Sequence, residues 1–408
     1  MDRTSLSSCR TRSIRHAETR EDRRTIQMTK ATSILLDFLR FAAAIIVAFG
    51  HLTQAYFSQG WPDLTIYAKS AVSIFFVLSG FVISYVTTTK EKTPGNYFIS
   101  RISRLYSVLV PAILLSGVVL IIAMRFDPTL VHQWSGEQSS LHFLQVHRVT
   151  RFVFQSIVSL LFLNSIHGHE TCPGVISPIW SLSFEAAYYI LFGIALFTRG
   201  YRRILLTIVC CVIFGLGMIW LLPVWLAGVL VHRLTRYLAT TGERYPIFGT
   251  VNLGVVGAAA LYWPSYNNWV DRPHQAIVQH VLHGQGRAID AGVFYYWGLA
   301  AAALLVAAFC FDEIIGKLVS PLEVPIRWLA SHTFSIYLFH FPLLILVCAV
   351  THYDKTSSLA KILAFVAVIS ACMFLSRIGE DKKHWWRSLF SQTLATGRLG
   401  WAKSRVRV

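Results

Sequence analysis

Ten long apolar runs punctuate this sequence, at Ile34 to Phe57, Ala71 to Thr87, Leu105 to Met124, Phe152 to Ile166, Pro178 to Phe197, Ile204 to Val231, Ile247 to Trp263, Ala291 to Phe311, Trp328 to Val350 and Leu359 to Leu375. The hydrocarbon core of a bilayer takes about 20 apolar residues per helical crossing. Backbone polar groups inside lipid must be satisfied within their own segment, so such runs fold as helices. Only 14% of the residues are charged, 54% are hydrophobic, and the mean hydropathy is +0.53, which leaves too little charge to cover a water-soluble globule. The expected fold is all-α: a polytopic transmembrane helical bundle of about ten spans.

The flanks of the runs set the orientation. Residues 1 to 30 are polar and Arg-rich and lack the apolar stretch of a secretory signal, so they read as a cytoplasmic tail, with Met28 as an alternative start. The membrane domain then covers 31–376, and 377–408 form a second basic cytoplasmic tail. Positive charge also crowds Lys90 to Arg104, Arg199 to Arg203 and Arg233 to Arg244, which places these loops and both termini in the cytoplasm and the loops at 58–70 and 264–289 outside. Two runs are unusual. Phe152 to Ile166 is short and follows a polar stretch, so it reads as re-entrant or interfacial. Ile204 to Val231 has Arg on both sides and reads as two short tilted helices broken at Pro223. The net charge of +17 sits in loops and tails, where anionic lipid explains it better than nucleic acid does. Five of the seven cysteines, Cys210, Cys211, Cys310, Cys348 and Cys372, fall in apolar runs, Cys9 is in the tail, and Cys172 has no obvious loop partner. No disulfide framework or zinc pattern is expected.

Ionisable groups inside spans are costly and therefore mark candidate sites. In the first run Arg40 and His51 are eleven positions apart, about 16 Å of helical rise and nearly one face. That face carries a cation at the cytoplasmic end and an imidazole toward the outside. His51 is either a general base for a hydroxyl or a histidine satisfied by a neighbouring carbonyl. Asp37, one turn before Arg40, is placed to hold the guanidinium. Arg101 and Arg104 share a face at the entrance to the third span, where they either clamp phosphates or serve as positive-inside flanks. Glu185, one turn after Ser181 and five residues after Trp180, orients an imidazole, accepts a proton, holds a substrate hydroxyl, or packs helices. Ser79 and Gly80 lie among bulky residues and permit close approach of a backbone or a ligand. His332, Tyr337 and His340 punctuate an otherwise apolar helix. His167, His169 and Glu170 have no third ligand at a telling distance, and His274, His280 and His283 are scattered over an outer loop, so no metal is expected.

In order along the chain, Arg40 with His51, IFFVLSGF at Ile74 to Phe81, RISRLY at Arg101 to Tyr106, WSLSFEAAYY from Trp180 to Tyr189 and FSIYLFHFPL from Phe334 to Leu343 resemble the acyltransferase family 3 integral-membrane acyltransferases. The resemblance covers nearly the whole chain after Met28. It implies transfer of an acyl group, usually acetyl, from a cytoplasmic acyl-CoA to a hydroxyl on a glycan, a lipid-linked sugar or another exported acceptor, in a bacterial inner membrane. It assigns His51 and Glu185 to catalysis, Arg40, Arg101 and Arg104 to acyl-CoA, and Asp37, Ser79, Gly80, Trp180, Ser181, Tyr337 and His340 to substrate or structural support. Acyl-CoA is then a donor substrate, with no permanently bound cofactor. Direct attack is favoured over an acyl-enzyme, because no Ser or Cys has an evident base at fixed spacing. Phe38, Phe41, Ser73, Ser107 and the surroundings of Glu380 depart from the usual motifs, which bears on the subfamily and the acceptor. The short stretch after the last run leads to the expectation that no further hydrolase-like domain follows.

Two other classes compete. A transporter or flippase of a glycan or lipid intermediate would use the same buried Arg and His as a binding or proton track, and would not consume acyl-CoA. A non-catalytic scaffold would tolerate replacement of His51.

Overall fold

The computed structural model describes residues 28–135, 144–241, 245–263 and 291–393. The expectations for the N-terminal tail, Cys9, the outer loop with His274, His280 and His283, and the end of the C-terminal tail lie outside these residues. Helices dominate: α1 (Lys30–Leu52), α2 (Thr65–Thr89), α3 (Pro94–Phe126), α4 (Pro128–Ser135), α5 (Leu144–Leu160), α6 (Trp180–Phe197), α7 (Gly200–Phe214), α8 (Leu216–Thr241), α9 (Pro246–Tyr262), α10 (Ala291–Cys310), α11 (Asp312–Val319), α12 (Glu323–Ala330), α13 (Thr333–Thr351), α14 (Ser358–Leu375) and α15 (383–393). Strands are confined, among the described residues, to the hairpin β1 (Ser165–Ile166) and β2 (His169–Glu170). Eight helices among the described residues are long and apolar enough to cross a membrane, and Val149–Leu160 and Pro246–Tyr262 are shorter apolar helices. The protein is a multi-pass integral membrane helical bundle.

Apolar residues serve two solvents here. Leu114, Val118 and Ile121 on α3, and Leu359, Leu363 and Val366 on α14, recur at helical spacing and are exposed, as a lipid-facing stripe must be. The opposite faces pack inward. α13 is apolar all round and the most enclosed of the eight spans, packed against α1, α3 and α14. α2 and α8 cross so closely that a Cβ on Gly80 would lie 2.0 Å from the Trp225 carbonyl oxygen, and one on Gly228 would lie 1.9 Å from that of Val77. Gly80 thus admits a neighbouring backbone, the helix-packing alternative of the two that the sequence leaves open.

The two unusual runs resolve differently. Ile204 to Val231 forms two helices, but the break falls at Gly215 and not at Pro223, which lies inside α8. Gly215 has φ +83°, and a Cβ there would meet His167 at 3.0 Å, so the turn is built around a residue without a side chain. A proline costs a helix one hydrogen bond, and packed membrane helices absorb that. In the run Phe152 to Ile166 the helix ends at Leu160 and the chain turns into the hairpin, with Ser165 paired to Glu170 and Ile166 to His169.

Candidate functional site

The carboxylate that pairs with the cation of the first span is held from both sides. Asp37 Oδ1 lies 3.7 Å from Arg40 Nη1, and Asp37 Oδ2 accepts from Arg327 Nη1 at 2.9 Å. Arg327 Nε in turn donates to Glu323 at 3.1 Å, and Lys30 pairs with Glu323 at 2.5 Å. The i,i+3 pair expected within α1 is therefore one link of a chain that ties α1 to α12. Arg327 carries the shorter bond, and sequence reasoning missed it because it stands 290 residues away.

Arg40 opens onto a cavity of about 500 Å³ whose walls include Ser79 of α2, Arg104 of α3, Ser181 and Glu185 of α6, Tyr337 of α13 and Glu380 beyond α14. Six segments far apart in the chain thus contribute polar groups to one space. Glu185 Oε1 accepts from Ser79 Oγ at 3.0 Å and from the Tyr189 hydroxyl one turn later. Ser79 Oγ also accepts from Trp225 Nε1 at 3.2 Å, so its own proton is free to point at the carboxylate. The Ser181 and Tyr337 hydroxyls lie 2.7 Å apart. Arg40 and Arg104 fall within electrostatic range of each other and of Glu185. The lining also holds Lys383, Glu380 and Asp381, so cations and carboxylates balance over the whole cavity; what suits it to a phosphorylated ligand is the local pair of guanidinium groups, Arg40 and Arg104.

Glu380 closes the rim. Its carboxylate accepts from the backbone N–H of Phe334 at 3.3 Å and of Ser335 at 3.1 Å, capping the first turn of α13 from another segment of the chain. It also lies within range of Arg104. Nothing in the local sequence around Glu380 announces a cap for a helix that starts at Thr333.

Arg101 and Arg104, adjacent on one face in the sequence, part company in three dimensions. Arg101 is buried in a two-pronged pair with Glu91, at 2.9 and 2.5 Å, beneath the ring of Tyr97. It is not among the residues lining the cavity, whereas Arg104 is. Trp180 likewise packs into an aromatic cluster, 5.4 Å from Phe184 and 5.9 Å from Phe294, and sets the start of α6 without lining the cavity.

His51 lies near the end of α1, outside the cavity lining. Its ring sits 5.3 Å from that of His340 at a 32° tilt, and 5.1 Å from the edge-on ring of Phe341. His340 Nδ1 donates to the Ile336 carbonyl at 2.8 Å, which leaves Nε2 as the basic nitrogen. Nε2 is buried with no hydrogen-bond partner among the described residues. Tyr337, which lines the cavity, precedes His340 by one turn of α13. The histidine pair and the arginine-lined cavity thus meet along one helix.

Two further charged or nucleophilic groups bear on the chemistry. Lys361 is fully buried, donates to the Gln59 carbonyl at 2.9 Å, and stands 4.2 Å from the centre of the Trp61 ring. Its position inside an apolar run was a visible signal that sequence reasoning passed over. Burial pushes the Cys172 thiol up to about 12, which makes it a poor nucleophile. Among the described residues no three His, Cys, Asp or Glu side chains converge as metal ligands.

Comparison with known proteins follows the same motifs. The profile of a family described as an acyltransferase domain matches residues 34–378. The peptidoglycan O-acetyltransferase OatA of Listeria monocytogenes is 24% identical over 376 residues, covering 85% of this chain and 54% of its own length. The putative peptidoglycan O-acetyltransferase YrhL of Bacillus subtilis is 25% identical over 338 residues, covering 76% of this chain and 48% of its own. The O-acetyltransferase OatA of Staphylococcus aureus is 23% identical over 338 residues, covering 76% and 50%. The chain spans about half the length of the curated relatives it matches. No solved structure matches it. A profile match running from the first span to residue 378 takes in Arg40, Ser79, Arg104, Ser181, Glu185 and Tyr337 and stops just short of Glu380, and the chain belongs to acyltransferase family 3.

Proposed function

We propose that this protein is an O-acyltransferase that moves an acyl group, acetyl in the first instance, from acyl-CoA to a hydroxyl of a glycan or lipid-linked sugar. The observation that carries the reading is the cavity in which Arg40 and Arg104 flank Glu185, joined through Tyr337 to the His340–His51 pair. Family membership supports acyl transfer, and the names of the relatives support O-acetylation of a cell-wall glycan. In this reading the two arginines take the phosphates of coenzyme A at the cytoplasmic end. The rise of about 16 Å between Arg40 and His51 is of the order spanned by an extended pantetheine arm. The acceptor oxygen attacks the thioester carbonyl, the C–S bond breaks as the C–O bond forms, and the acceptor proton passes to the His51 imidazole and on to the departing thiolate. Glu185, kept in place by Ser79 and Tyr189, stands between the two arginines and orients them toward the donor. Arg101, locked onto Glu91, supports the cavity from outside. The protein sits in a bacterial inner membrane with both termini in the cytoplasm.

The test uses full-length protein in nanodiscs, radiolabelled acetyl-CoA and crude envelope glycan, with wild type, His51→Ala and Glu185→Gln. The reading expects label on glycan with wild type and at least a hundredfold less with His51→Ala. Absence of both thioester loss and coenzyme A binding with wild type, across several acyl donors, would overturn it in favour of a transporter.

A further inference from the structure

A second cavity, of about 260 Å³, lies at the other end of α3. Arg104 and Ser107 line the first cavity, and Leu120 and Met124 line the second, so the two are separated by about 20 Å along the helix. This is also the His51 end of α1. The side chains that give the second cavity its chemistry are His132 and Trp134 of α4, Arg151, Phe152 and Gln155 of α5, and Glu170 of β2.

The cavity is a constructed one. The Phe152 ring fits against α3 only because position 117 is glycine, where a Cβ would lie 2.9 Å from the ring. Gly174, at φ +67°, leaves room on the other side, where a Cβ would lie 3.3 Å from the same ring. Ser116 Oγ donates to the Pro173 carbonyl at 2.8 Å and accepts from the Val175 N–H at 2.7 Å, which rivets this loop to α3. On the opposite wall Trp134 stands 5.8 Å from Phe341, whose ring meets His51. Two aromatic rings therefore separate the cavity from the His51 imidazole.

We infer that this cavity binds a sugar unit of the acyl acceptor, an assignment that rests on the transferase reading above. A pyranose ring offers apolar C–H faces to aromatic side chains and a girdle of hydroxyls to planar polar groups. Trp134 and Phe152 supply the first, and Arg151, Gln155 and Glu170 the second. The two charges are of opposite sign, which favours a neutral sugar over a phosphate or a polyanion. A volume below the ~300–1,000 Å³ usual for a whole ligand fits one unit of a longer chain. Donor and acceptor then enter from opposite ends, with the histidine pair between them.

The test measures oligosaccharide and coenzyme A binding separately on the full-length protein in nanodiscs. Chitotetraose and maltotetraose serve as probes by saturation-transfer NMR, and coenzyme A by calorimetry, with wild type, Gln155→Ala, Glu170→Gln and Trp134→Phe. The expected result is binding of at least one oligosaccharide by wild type, weakened fivefold or more by Gln155→Ala and Glu170→Gln, with coenzyme A affinity unchanged in all three variants. Trp134→Phe keeps an aromatic face and retains binding within about threefold. Coenzyme A binding without binding of either oligosaccharide overturns the assignment, as does oligosaccharide binding that none of the variants changes. Oligosaccharide binding that falls in the variants while coenzyme A does not bind supports the sugar site and overturns the reading of the first cavity.

Discussion

Replacing Gly80 by Ala tests whether helix packing and the candidate site are one mechanical unit. A Cβ at this position would lie 2.0 Å from the Trp225 carbonyl oxygen, where ordinary contact begins at 3.4 Å, so α2 and α8 must part by about 1.4 Å. Trp225 also donates to Ser79 at 3.2 Å, and Ser79 donates to Glu185 at 3.0 Å. A shift of that size takes the Trp225 bond beyond hydrogen-bonding reach and removes one of the supports of the carboxylate. Overpacking costs about 1–3 kcal/mol and the lost bond about 1 kcal/mol, for a total near 2–4 kcal/mol. The assay is tryptophan fluorescence during denaturant titration in detergent, beside acetyl transfer in nanodiscs. Gly254→Ala, on the exposed face of α9 with nothing near its added Cβ, is the control and is expected to be neutral or to stabilise by up to ~1 kcal/mol. Gly80→Ala protein that unfolds like the control and transfers at the wild-type rate would refute the coupling.

Substitutions at four further positions have outcomes that follow from the same geometry. Arg104→Ala removes a cavity cation and is expected to weaken coenzyme A about 10–100-fold, the equivalent of a charge-assisted bond, as read by calorimetry; Arg101→Ala leaves Glu91 without its buried partner and is expected to lower the unfolding midpoint more than the affinity. Glu380→Ala uncaps α13 and is expected to cost about 0.5–2 kcal/mol, with faster hydrogen exchange at Phe334 and Ser335, while Glu380→Gln recovers part of the protection. Lys361→Met removes the donor to Gln59 and the cation over Trp61, and faster proteolysis around residue 59 is the expected result; unchanged proteolysis refutes the role given to Lys361.

What the sequence displays best is whatever one helix contains. The apolar runs appear as helices because length and hydropathy alone decide whether a segment crosses lipid. The Asp37–Arg40 pair was legible because i,i+3 neighbours meet on any helix. Gly215 was not chosen over Pro223 because the cue for a helix break is a conformation, and only the contact with His167 shows that a side chain has no room there. Arg101 and Arg104 look equivalent until Glu91 claims one of them. The partners that finish the site, Arg327 on Asp37, Glu380 on α13 and His340 beside His51, come from elements far along the chain, where local pattern carries no information. Lys361 is different: an ionisable residue in an apolar run was there to be read.

The separation between Asp37 and Arg327 has a consequence for biosynthesis. When α1 enters the membrane, the residue that will hold Asp37 at 2.9 Å is still 290 positions from being made. A lone guanidinium in lipid is costly, but Asp37 and Arg40 travel together on one helical face as a nearly neutral pair. Arg327 arrives only after the six described spanning helices that precede it have been made, and it brings a second cation to Asp37 together with Glu323, the carboxylate that balances it. The ion-pair chain around Asp37 therefore takes its final form late, and the nascent bundle is not left with an unneutralised arginine in its first helix while the remaining walls are being translated.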